Sequence, residues 1–299
     1  MKKRKKSKMT AYQSVAFILI VVMLFVGLDF FLKAANPVAS SAFFRNNDHE
    51  ITIALNESNE FDKVFYGSSP VVSAYRPDLS DSGFTEMGIV YGKITYLLKM
   101  LEKGIITVND EIVLGLSIAV FMDELTTDRS YIWHKGTFEP YIFFYRDRLM
   151  TFVNRAMHNF IDGDFELPRH YNYEKWLYYG SVSDEELEEM IETHTERFWN
   201  LDISVFYENL AALEALIDYC AGNGIRLRAI WMPVNPSVPV PDVYAEVFGR
   251  ANEIMSNGGV EVCDMTSSFG PVNFHDIGHM NFETGAVAFT EAFDEWVGS

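Results

Sequence analysis

The stretch Glu111 to Ser117 (E-I-V-L-G-L-S) constrains the fold more than any other. A strand with one wet face alternates apolar and polar residues. This run stays apolar until its terminal serine, which suits a strand covered on both faces, as in a parallel sheet sandwiched between helices. Arg226 to Met232 (R-L-R-A-I-W-M) reads as another strand, as does Phe61 to Gly67 (F-D-K-V-F-Y-G), which ends in a turn; Val260 to Asp264 is a shorter one.

The segments between these strands supply helices. Ser80 to Gly88 is a polar loop, and Ile89 to Lys103 then places Ile94, Leu97, Leu98 and Leu101 at helical spacing. Val205 to Cys220 is an amphipathic helix that Gly222 and Gly224 stop, and Tyr244 to Asn257 and Glu283 to Val297 are two more. Strand, loop, helix, strand in this order is a βαβ unit. The expected class is therefore α/β, a three-layer α/β/α sandwich with a parallel sheet.

Residues 122–200 interrupt this pattern. They are dense in aromatics, among them Tyr131, Trp133, Phe143, Tyr173, Trp176 and Tyr178, with charges interleaved. They read as a helical insertion whose aromatics either pack the insertion itself or cap a site. Within it, Ser183 and Glu186 form a capping-box signature for an acidic helix from Ser183 to Arg197.

The N-terminus has a different logic. Residues 1–10 are a basic tail, and 11–33 form an apolar run in which Asp29 is the only acid. About 20 apolar residues span a bilayer as a helix, and basic residues ahead of them favour a cytoplasmic N-terminus. The expectation is a single-pass anchor with the body outside the membrane, a polar connector over 34–60 and the α/β domain over 61–299. A cleaved signal peptide is the competing reading, although its apolar core normally runs to only ~7–15 residues.

Charge excludes one class of partner. Six of the 24 Lys and Arg lie among the first eight residues, so the rest of the chain sets 18 basic against 42 acidic residues. A body that acidic does not neutralise a phosphate backbone, and no nucleic-acid partner is expected. The two cysteines, Cys220 and Cys263, sit in apolar contexts and read as buried thiols rather than as a disulfide framework.

Chemistry concentrates at the ends of the domain. In open parallel sheets, ligands bind beyond the carboxyl ends of the strands. Three loops there carry polar groups: Gly67-Ser68-Ser69, Gly115-Leu116-Ser117 and Asp276-Ile277-Gly278-His279. A nucleophilic serine needs a histidine to take its proton and a carboxylate to orient that histidine. Asp276 and His279 supply the latter two from one turn, and Ser69 or Ser68 supplies the nucleophile. A metal site on His275, Asp276 and His279 is an alternative that lacks an evident further ligand.

These blocks resemble those of the SGNH (GDSL-type) hydrolases, which place the nucleophile in a Gly-Asp-Ser turn after the first strand and an Asp-x-x-His pair before the last helix. The resemblance covers residues 61–120 and 200–299. It maps Ser69 to the nucleophile, with Ser68 where the family has Asp, His279 to the general base and Asp276 to its orienting acid. It further implies an oxyanion hole of the Ser69 backbone N–H, Gly88 and Ser117, the last standing where the family has Asn. No metal or other cofactor is implied.

With its anchor and its Gly-Ser-Ser turn, the chain is similar to the membrane-anchored extracytoplasmic branch, which includes the D-alanine transfer protein of teichoic-acid modification and the accessory proteins of polysaccharide O-acetyltransferases. The Pro233-Val234-Asn235 loop adds to that likeness. The resemblance implies an acyltransferase or acylesterase moving an acetyl or D-alanyl group on a cell-surface polysaccharide or teichoic-acid-like polymer, beside a membrane-bound O-acyltransferase. Two alternatives are a non-catalytic subunit of such an acyltransferase and a secreted esterase or lipase acting alone.

Overall fold

A computed structural model describes residues 11–35, 49, 52, 56, 58–127, 131–134, 156–163 and 178–298. The expected basic tail, most of the connector and much of the aromatic insertion lie outside the described residues. The chain divides into two compact units, one of residues 1–46 with 129–173 and one of residues 47–128 with 174–299.

In the first unit, Ala11–Ala35 is one 25-residue helix, α1. Its apolar side chains face outward, Phe17, Leu19, Met23 and Leu24 among them. Among the described residues no helix is long and apolar enough to cross a membrane. The expected span over 11–33 rests on the sequence. Further along this unit, the rings of Tyr131 and Trp133 pack at 4.5 Å and both are buried.

The second unit is the α/β body. Its five strands are β1 (Glu60–Gly67), β2 (Thr85–Gly88), β3 (Thr107–Leu116), β4 (Arg226–Trp231) and β5 (Glu261–Asp264). All pair in parallel, in the order β2-β1-β3-β4-β5. The connection from β1 runs to one side and β3 lies on the other, so the order reverses at β1. The crevice beyond β1 and β3 is therefore the topological switch point where such sheets bind ligands.

Two sequence expectations need correction here. The polar loop expected over 80–88 ends in a strand: Thr-Glu-Met-Gly is too short and polar to signal itself, and pairing with β1 makes it β2. The helix expected over 89–103 begins only at Ile94 (α3, Ile94–Glu102), because a turn through Val90, Tyr91 and Gly92 follows β2 first.

Helices cover both faces. On one side lie α2 (Ser69–Ala74) and α8 (Gly285–Val297). Phe65 faces them, with Phe289 and Phe293 stacked on its ring at 6.2 and 4.6 Å. The next residue, Tyr66, points to the opposite face and donates its hydroxyl to the Lys93 carbonyl at 2.7 Å. On that face α3 and the short α4 (Ile118–Phe121) pack against α6 (Tyr207–Asn223), which packs against α7 (Asp242–Asn257). Burial on both sides is why β3 and β4 are apolar runs. It also encloses Cys220, whose thiol is pushed up to about 12 by burial; both cysteines are free.

Remaining boundaries follow from caps. α6 continues through Gly222 to Asn223 and stops at Gly224, which takes the left-handed conformation at φ 73° that glycine adopts without strain. α5 (Asp184–His194) has the expected capping box in full: Ser183 Oγ accepts from the Glu186 N–H, and the Glu186 carboxylate accepts from the Ser183 N–H. It gives way to a π-helical turn, Thr195–Trp199. Arg228 on β4, 2% exposed, donates from Nε to Glu111 on β3 at 2.5 Å and from Nη2 to the Val297 carbonyl at 3.3 Å, tying the end of α8 to the sheet.

Candidate active site

Three glycines share one row at the carboxyl end of the sheet: Gly88, Gly67 and Gly115 are register partners on β2, β1 and β3. A Cβ at Gly67 or Gly115 would collide with the Val71 side chain, and one at Gly88 would meet Val72 Cγ2 at 2.7 Å and the Val72 amide nitrogen at 2.9 Å. The row thus gives α2 its seat. Ser68 leaves β1 in extended conformation and its carbonyl accepts from the Val71 N–H at 2.9 Å, closing the first turn. Ser69 opens α2, half-buried, above the switch point.

From the other end of the chain comes the loop before α8. Phe274 and Met280 form an antiparallel bridge, and the His275 N–H donates to the His279 carbonyl at 2.8 Å, so residues 274–280 close on themselves. Inside, Asp276 Oδ1 accepts from the N–H groups of Gly278 (3.0 Å) and His279 (2.9 Å). His279 Nδ1 lies 2.9 and 2.8 Å from the two Asp276 oxygens. Asp276 is buried, which disfavours its charged form. The hydrogen bonds and charge of His279 and the two backbone donors outweigh this and hold its carboxyl below the usual 3.8. An ionised Asp276 accepting from Nδ1–H leaves Nε2 as an acceptor. Nε2 lies 2.9 Å from Ser69 Oγ.

Other groups brace this loop. Asn235, in the stiff loop after β4, donates from Nδ2 to the Asp276 carbonyl at 2.9 Å. Residues 178–182 strap it from outside: Ser181 Oγ donates to the Phe274 carbonyl at 2.6 Å, the Val182 N–H to the His275 carbonyl and the Phe282 N–H to the Tyr178 carbonyl, both at 2.8 Å. Asn281 takes the next turn, its Oδ1 accepting from the N–H groups of Thr284 and Gly285 at 3.0 and 2.9 Å to start α8.

The expected residues fare differently. Ser69, His279 and Asp276 meet directly. Ser68, the rival nucleophile, is 1% exposed and its Oγ lies 3.0 Å from Ser117 Oγ. Ser117, to which the resemblance gives an oxyanion role, thus contacts Ser68 through its hydroxyl. Gly88 reaches the same sheet edge, packed on α2. His275, offered as a metal ligand, turns Nδ1 to the carbonyls of Tyr179 and Gly180, each at 3.1 Å.

Two participants escaped the sequence. Asn235 stood in a loop already singled out, but nothing local marked its amide as a support for Asp276. Tyr178 was one aromatic among many in the insertion. Its ring lies flat on His279, centroids 4.2 Å apart and planes at 10°.

No family model matches the chain, and no curated protein matches its sequence. Among solved structures it is similar to an acetyl xylan esterase, AlAXEase, at 10% identity and a TM-score of 0.38, over 79% of this chain and 98% of that one. A likeness that slight bears on neither fold nor chemistry, and the reading of the site rests on its own geometry.

Proposed function

We propose that this chain is an acyl-transfer enzyme with Ser69 as nucleophile, of the SGNH type. The observation that carries the reading is the unbroken sequence of contacts from Ser69 Oγ to His279 Nε2 and from His279 Nδ1 to Asp276. Ser69 Oγ attacks the carbonyl carbon of an ester while its proton passes to Nε2, and Asp276 stabilises the imidazolium formed. When the tetrahedral intermediate collapses, the alcohol leaves with the proton from Nε2, and the acyl group stays on Ser69. Water or a second hydroxyl then gives its proton to Nε2, takes the acyl group and restores the serine.

The Ser69 N–H, Gly88 and Ser117 are the proposed oxyanion donors. One such donor is typically worth about 3–4 kcal/mol at the transition state. Because the Ser117 hydroxyl also engages Ser68, the contribution assigned to it is the smallest.

The proposed substrate is an acetyl or D-alanyl ester on a cell-envelope polysaccharide or teichoic-acid-like polymer, with a membrane-bound O-acyltransferase as partner. What supports an envelope location is the sequence of the N-terminus: a basic tail ahead of an almost uncharged apolar run over 11–33. Protease added outside intact cells should digest the body, and a protected body would remove this location.

The activity is tested by incubating the full-length chain in detergent with a fluorophosphonate and measuring its intact mass. The expected result is one adduct, absent from Ser69→Ala. An unlabelled wild-type chain that also releases no acetate from acetylated polysaccharide would leave the fold without this function.

A further inference from the structure

We infer that Tyr178 is a positioning residue for this reaction, its ring face holding the His279 imidazole between Ser69 and Asp276 and stabilising the imidazolium. The inference rests on the Ser69 chemistry proposed above and adds a residue from outside the three motifs.

The geometry is specific. Two hydrogen bonds fix the imidazole plane, Nδ1 to Asp276 and Nε2 to Ser69, but neither prevents the ring from swinging out of a half-open site. Tyr178 closes that route. It is 5% exposed and lies nearly parallel to His279, with its centroid 4.2 Å away. The same ring meets His275 at a steep angle, 61°, at 5.4 Å. The backbone around Tyr178 is pinned independently of that stack, by the Phe282 N–H on its carbonyl and by the carboxylate of Glu283 on the Gly180 N–H. The ring is thus preset, and the histidine closes against it.

Charge gives the stack a chemical role. An aromatic face carries negative potential and attracts a cation set upon it. His279 becomes a cation only when Ser69 gives up its proton, so this attraction is stronger at the transition state than in the resting site, the condition for acceleration. The other groups around the imidazole leave this role to Tyr178. Asp276 approaches edge-on from the same loop, Ser69 approaches Nε2 from α2, and Asn235 behind Asp276 is neutral. From α5, Glu186 faces His275, and from the approach to α8 the Glu283 carboxylate accepts from the Gly180 N–H.

The test measures fluorophosphonate labelling of the full-length chain against pH for wild type, Tyr178→Phe, Tyr178→Leu and Tyr178→Trp, beside Ser69→Ala. Tyr178→Phe keeps the face and should keep the wild-type profile. Tyr178→Leu should label about 3- to 30-fold more slowly on the plateau, the range for a cation on an aromatic face, with its acid limb at lower pH because the imidazolium is less favoured. Tyr178→Trp should move that limb to higher pH. It also decides the matter if the leucine variant fails to fold. A leucine variant with the wild-type rate and limb would overturn the inference. So would a phenylalanine variant as slow as the leucine one, which would place the effect in the hydroxyl, or slower labelling with no movement of the limb in any variant. Ser69-dependent labelling in wild type separates these failures from failure of the underlying chemistry, which would appear as no labelling at any pH.

Discussion

Ser68 Oγ and Ser117 Oγ lie 3.0 Å apart across the crevice between β1 and β3, and neither serine is the one that touches His279. Adjacent residues at the end of β1 thus take opposite parts: Ser68 turns down to join two strands, and Ser69 turns up to the imidazole. Ser69→Ala should lower turnover by roughly 10⁴- to 10⁶-fold, as loss of a nucleophile does in such triads. Ser68→Ala removes one hydrogen bond of about 1 kcal/mol and should cost less than about tenfold. Ester hydrolysis by both variants checks the assignment, and a larger loss at Ser68 would reverse it.

Asp276 accepts from His279 Nδ1 and from two backbone N–H groups. Asp276→Asn keeps the shape of the turn, but its amide no longer selects the tautomer with an acceptor at Nε2. Turnover should fall by about 10⁴-fold, with thermal stability changed far less. Paired kinetic and melting measurements separate these effects, and a variant within tenfold of wild type would discount the carboxylate.

The glycine row predicts a coupled pair. Gly115→Ala drives a methyl group into the Val71 side chain on α2 and should cost about 1–3 kcal/mol while displacing Ser69. Val71→Ala alone should also destabilise, by emptying a buried site. Together the two should be less damaging than their sum, because each relieves the other's defect. Denaturant unfolding and labelling of the single and double variants measure this, and strict additivity would contradict the contact.

Acid should weaken the fold in two stages. Burial lowers His49 from 6.5 to about 4, so between those values the unfolded chain holds a proton that the folded chain refuses. Stability is full above 6.5 and falls as pH drops towards 4, by about 3 kcal/mol in all. Asp276 adds a second loss below 3.8, where the unfolded chain's carboxyl takes a proton that the folded, depressed carboxyl refuses. Unfolding free energies from pH 7 to 4 should show the first stage, and His49→Gln should flatten it.

Much of this protein follows from local sequence. The apolar runs at Glu111 and Arg226 dictate strands buried on two faces, Ser183 and Glu186 build their capping box within one turn, and Asp276 and His279 meet because a three-residue step in a tight loop brings them together. These interactions involve neighbours, so spacing determines them. Only the tertiary structure decided the rest. β2 is a strand because β1 lies beside it, with Thr-Glu-Met-Gly showing no strand pattern of its own. The resemblance already favoured Ser69 over Ser68, but its contact with His279 depends on where α2 seats over Gly67 and Gly115, and the Ser117 hydroxyl finds Ser68 only through the register of β1 on β3. Tyr178 reaches His279 because the 178–182 strap docks on a loop distant in sequence. Side-chain direction in a sheet reverses at every residue, and a contact between distant segments is set by the packing of whole elements, which no local window of sequence contains.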